Sequence, residues 1–69
     1  MPYYHVNKNA QSNGDHEVHE SSCKYGAQPE NQEPLGWHDD CEGAVSEAKK
    51  KGYSTANGCY YCCYACHTT

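Results

Sequence analysis

The chain has 69 residues, a formal charge of −4 and 36% hydrophobic residues, so it is short enough to bury only ~60% of the surface its unfolded form exposes. Val6, Val18, Val45 and Leu35 are its only Val, Leu, Ile or Phe residues, and no apolar run approaches the ~20 residues of a membrane span. The acidic balance disfavours a nucleic-acid partner, which needs clustered Lys or Arg.

A composition this poor in aliphatics lies close to disorder. Seven Tyr, one Trp and six Cys pull it back, because aromatic rings bury large areas and cysteines can cross-link or hold a metal. A single small cysteine-rich domain spanning residues 1–69 is expected, and a core this thin needs a staple.

In chain order, Tyr3-Tyr4-His5-Val6 predicts a short strand, and the polar stretch with Asn13-Gly14 a turn. The segment "HEVHES" alternates His16, Val18 and Glu20 on one face with Glu17 and His19 on the other, as a second strand antiparallel to the first would. Gly26, Pro29 and Pro34 predict a loop, after which Leu35 and Trp37 form a third strand or pack on the sheet.

Residues 40–51 carry the clearest helix. Asp39 and Glu42 have the spacing of a capping box, Cys41, Ala44, Val45 and Ala48 make one apolar stripe, and Lys49 to Lys51 suit the negative end of the helix dipole before Gly52 stops the helix. The lysine run is thus a helix end, not a phosphate patch. "YSTANG" then predicts a loop with a turn at Asn57-Gly58, and one or two helical turns in the tail would put Cys59, Cys62 or Cys63, and Cys66 on one face. The expected fold is α+β, a two- or three-stranded antiparallel sheet with one main helix, stapled by metal or disulfides.

The chemistry lies in the spacings. His19-x3-Cys23 and Cys59-x2-Cys62 are two short pairs separated by a domain-forming stretch, the arrangement a tetrahedral zinc site uses: each tight turn gives half the ligands and the fold joins the halves. His16, Cys63, Cys66 and His67 are alternative ligands. Six cysteines would equally form three disulfides, and a metal with leftover thiols is a third arrangement. Cys41, on the helix stripe, reads as a buried hydrophobe or half of a bridge; His5 and His38 read as surface residues, and Tyr60, Tyr61 and Tyr64 as core. No catalytic constellation stands out, because Cys-x-x-Cys lacks the strand-before, helix-after setting of a redox βαβ unit. An enzyme is not expected.

"HEVHESSC", "PEN", "CEGAVSEAKKKGY" and "NGCYYC" together resemble the small zinc-binding module of the Ada type, found at the N-terminus of the Ada DNA-repair protein and appended to some nucleases. The resemblance implies a ββα core with His19, Cys23, Cys59 and Cys62 as ligands. His19 stands where the methyl-accepting module has a cysteine, so what it implies is zinc binding rather than methyl transfer from DNA. "GDHEVH" and "NGCYYC…CHT" also look like a group of small bacterial proteins of unknown function. These readings converge on a structural zinc module that binds or scaffolds, with a protein partner possible and a cytoplasmic location. A thiol redox or metal-handling protein using Cys63 and Cys66, and a disulfide-stapled secreted or periplasmic miniprotein, are the alternatives.

Overall fold

The computed structural model describes residues 2–68. Strands β1 (Tyr3–Asn7), β2 (His16–Glu20), β3 (Gln32–Trp37) and β4 (Ala56–Gly58) form one sheet in the order β3-β1-β2-β4, and helix α1 (Cys41–Lys50) lies between β3 and β4 in sequence. Pairing of β1 with β2 and with β3 is antiparallel, and that of β2 with β4 is parallel. The fold is α+β with one main helix, as expected, but the sheet has four strands and is mixed, not two- or three-stranded and antiparallel.

The missed strand is β4. Asn57-Gly58 is a strong local turn signal, yet here tertiary bonds hold it extended. The His16 N–H donates to the Thr55 carbonyl, the Cys59 N–H donates to the Val18 carbonyl, and the Asn57 side-chain oxygen accepts from the Thr68 backbone N–H at 3.0 Å. Gly58 serves close packing instead of a turn: a Cβ there would lie 2.6 Å from the Cys63 carbonyl oxygen and 2.7 Å from the Cys66 Cβ. The true turn between β1 and β2 has Gly14 at φ 91°, with the Asp15 N–H bonded to the Asn13 side-chain oxygen.

Pro34, read as a breaker, sits within β3. The edge position of β3 makes this possible, since an edge strand has an unpaired side that needs no N–H. The register skips Leu35, because Tyr4 faces Gly36 while His5 faces Pro34. This bulge leaves Leu35 buried, whereas Trp37 is 64% exposed with the Tyr3 ring against it, 5.0 Å between centroids.

The cap of α1 is Asp40, not Asp39: its side chain accepts from the Gly43 N–H at 3.2 Å. Glycine at that third position has no side chain to complete a capping box. At the other end the Gly52 N–H bonds to the Lys49 carbonyl and the Tyr53 N–H to the Ala48 carbonyl, with Gly52 at φ 108°. This is a Schellman stop, which only a residue free to adopt positive φ closes without strain. Cys41, Ala44 and Ala48 are buried with Tyr4, Val6, Val18 and Leu35 in a single core cluster. Alanines at the contact let the helix approach a sheet that has few large side chains to offer.

A disulfide joins Cys41, at the start of α1, to Cys66 in the last 3-10 turn, across 25 residues of sequence. Closing a loop of that size in the unfolded chain is worth about 3 kcal/mol in the chain-entropy account. Among the described residues no helix is long and apolar enough to cross a membrane.

Candidate metal centre

Four side chains meet beside β2. Strand pairing sets His19 directly opposite His5. Cys23 follows in a tight turn, its N–H bonded to the Glu20 carbonyl and its own carbonyl accepting from the Gly26 N–H. Cys59 extends the parallel β2–β4 pairing through its N–H on Val18, and the Cys63 N–H then returns to the Cys59 carbonyl at 2.9 Å, so that one helical turn carries Cys62 back over the sheet. The parallel strand is therefore what brings the two ligand pairs together.

One ligand atom from each of His19, Cys23, Cys59 and Cys62 lies within 4.8 Å of all the others, and the group can hold a metal ion. The Cys23 and Cys59 sulfurs are 4.0 Å apart, close to the edge of about 3.8 Å that a tetrahedron with metal–sulfur bonds of about 2.3 Å would have. Backbone donors already address the sulfurs: the Glu20 N–H points at Cys62 Sγ at 3.3 Å, and the Tyr61 N–H at Cys59 Sγ at 3.4 Å. Bonds of this kind stabilise negative charge on thiolates and orient them.

The histidine fits a metal for a separate reason. Its Nε2 lies 3.4 Å from Glu17 Oε1, while Nδ1 is buried without a hydrogen-bond partner. Burial lowers the His19 pKa, although the Glu17 carboxylate pulls it the other way. The ring is thus neutral near pH 7, and the Glu17 carboxylate 3.4 Å from Nε2 favours the proton on that nitrogen. The free lone pair then sits on Nδ1, and a carboxylate behind a neutral ligating imidazole is the common support of metal-bound histidine. An orphaned buried nitrogen costs about 1–3 kcal/mol unless something ligates it.

The thiols need deprotonation to ligate. Burial pushes the Cys62 thiol far up, against the help of the Glu20 N–H, and burial raises that of Cys63 as well. A cation supplies the positive charge that a buried thiolate requires, and it would release protons on binding. Four protein ligands would fill the coordination of a tetrahedral ion.

The remaining histidines and cysteines fall elsewhere. His16 is held by the Asn7 carbonyl at 2.9 Å and packs on Tyr53, and His67 Nδ1 lies 3.0 Å from the Gly58 carbonyl. Neither belongs to the four-residue group. Cys66 is in the disulfide with Cys41, which makes Cys41 half of a bridge and removes the free Cys63–Cys66 pair of the redox alternative. Cys23, Cys59, Cys62 and Cys63 are free, so the structure holds one bridge where full oxidation needs three.

Three expectations are corrected. His5 is 2% exposed, its Nε2 accepting from the Ala27 N–H at 3.2 Å and its ring stacked obliquely beside His19. His38 is half-buried, with Nε2 2.7 Å from the Leu35 carbonyl. Tyr60, Tyr61 and Tyr64 are 52–65% exposed instead of forming the core. Tyr61 stacks at 4.0 Å on Tyr25 of the Cys23 turn, and Tyr60 meets Tyr61, Tyr64 and His67 edge to face. The small core is filled by Tyr4, the valines and the alanines, so the tail tyrosines have no interior to enter. His5 was findable in principle, since pairing β1 with β2 in register places it across from His19.

No family model matches the chain, and neither a curated protein nor a solved structure is significantly similar to it.

Proposed function

We propose that this protein is a small structural zinc-binding module acting as a binding or scaffold domain, with the ion held by His19, Cys23, Cys59 and Cys62. The observation that carries the reading is the convergence of one donor atom from each residue within 4.8 Å. Zinc is favoured over harder cations by the donor set, three sulfurs and one imidazole with no carboxylate among them. The likeness to the Ada-type module supports the same four ligands. A binding role is supported by the exposed rings of Tyr25, Tyr60, Tyr61 and Tyr64, gathered on the two loops that carry the cysteines, because grouped exposed aromatics mark interaction surfaces.

The test is the intact native mass of protein made without added metal or oxidant, followed by alkylation after chelation in denaturant. One bound zinc and four alkylated thiols, with the Cys41–Cys66 bridge resistant, is the expected result. A metal-free mass with no alkylatable thiol would overturn the proposal in favour of a fully disulfide-bonded protein.

A further inference from the structure

The four-residue group does not use every thiol at the site. Cys63 is free and 3% exposed, and its sulfur lies 3.8 Å from Cys62 Sγ. That distance equals the edge expected for two sulfurs on one tetrahedral ion, about 3.8 Å. The Cys63 N–H also bonds to the Cys59 carbonyl, so the two cysteines open and close the same turn. Cys63 therefore sits at the margin of the centre, outside the four-residue group but in contact with one of its sulfurs, Cys62 Sγ.

Resting on the zinc reading above, we propose that Cys23, Cys59 and Cys62 are a shared tripod with two alternative fourth ligands: His19 for zinc, and Cys63 for a softer cation such as Cd2+ or Cu+. Imidazole suits zinc, whereas soft cations gain from each added thiolate. Exchange of His19 for Cys63 converts a set of one nitrogen and three sulfurs into four sulfurs. The Cys63 thiol gives up its proton to solvent as it ligates, and the His19 imidazole returns to its contact with Glu17. The four-sulfur set carries one more negative charge, which a buried site tolerates only when the metal–sulfur bonds are strong. This is why the exchange depends on the softness of the ion.

The experiment is titration of the full chain, with Cys41–Cys66 intact, by Zn2+ and Cd2+ in the wild type, His19→Ala, Cys63→Ser and the double variant. Bound cadmium is read by its 113Cd resonance, which moves downfield with each sulfur ligand. The expected result is that Cys63→Ser moves the resonance upfield and leaves zinc affinity unchanged. His19→Ala weakens zinc by at least about 100-fold, since losing even a group behind a ligand costs about 10–100-fold, yet holds cadmium within about tenfold until Cys63→Ser is added.

A 113Cd resonance that is the same in wild type and Cys63→Ser overturns the inference, and needs no His19 variant that folds. Cadmium lost as completely from His19→Ala as from the double variant overturns it too. In both cases zinc bound by the wild type leaves the structural-zinc reading standing. A wild type that takes up neither ion overturns both.

Discussion

His5 and His19 face each other across the β1–β2 pair with ring centroids 5.3 Å apart, and each carries a buried Nδ1 without a hydrogen-bond partner. Their situations differ. His19 has three sulfurs around it, so a metal can use its lone pair, whereas His5 is tied through Nε2 to the Ala27 N–H and braces the Cys23 loop from beneath.

That brace gives the fold an acid limit. Burial first, and then the neighbouring His19, lower the His5 pKa from 6.5 to about 4. The unfolded chain therefore takes up a proton at a pH where the folded chain does not, and His5 causes stability to fall as pH drops from 6.5 toward about 4. Above 6.5 both states are neutral at this position and the effect vanishes. His5→Gln, which keeps an acceptor for Ala27, should flatten this part of the curve in denaturant unfolding followed from pH 7 to pH 4. An unchanged slope would remove His5 as its source.

Metal removal should unfold the loops before the sheet. Binding to the folded state alone adds several kcal/mol in a domain with few aliphatics. A strong chelator should therefore lower the midpoint of thermal unfolding by at least about 20 °C, given about 4–8 °C per kcal/mol at this size. Circular dichroism against temperature, with zinc restored as the control, reads the effect.

The Tyr25–Tyr61 stack bridges the loop of Cys23 and the loop of Cys59 and Cys62, the same two loops that the ion would join. Chelation should reduce the tyrosine signal in near-ultraviolet circular dichroism, while Tyr25→Ala reduces it in the presence of metal and leaves the metal stoichiometry unchanged. A signal indifferent to chelation would separate the stack from the centre.

The disulfide and the metal staple different parts. Cys41 and Cys66 are outside the four-residue group, so Cys41→Ser with Cys66→Ser should lose about 3 kcal/mol in denaturant unfolding. The double variant should still bind one ion. Loss of metal along with the bridge would show that the last turn positions Cys62 through Cys66.

Gly58→Ala tests the β4 junction. Its Cβ would press on the Cys63 carbonyl and on the Cys66 Cβ, both under 3 Å away, and neither backbone nor disulfide-held atoms can swing clear. A loss above about 2 kcal/mol is expected, beyond the ordinary cost of a point change, together with weaker metal binding because Cys59 is the next residue. Equal stability of the variant in denaturant would show that the turn can shift.

The sequence by itself determined the elements whose signals are local. Helix α1 was legible from the apolar stripe of Cys41, Ala44, Val45 and Ala48, the lysines and Gly52; its cap moved from Asp39 to Asp40, and Val45 is only partly buried. Strand β1 was legible from its aromatic and β-branched residues, β2 from alternation, and the four residues that could hold a metal from paired spacings at His19-x3-Cys23 and Cys59-x2-Cys62. Tertiary structure decided what depends on partners distant in the chain. Asn57-Gly58 reads as a turn until β2 offers its edge, Pro34 reads as a breaker until it lies on an open edge, and Cys66 is indistinguishable from Cys63 until α1 brings Cys41 beside it. The burial of His5 and the exposure of Tyr60, Tyr61 and Tyr64 have the same origin. Local propensity fixes which conformations a segment favours, but which side of it is buried depends on the space left by other segments, and in a core this small that space filled before the tail tyrosines could enter it.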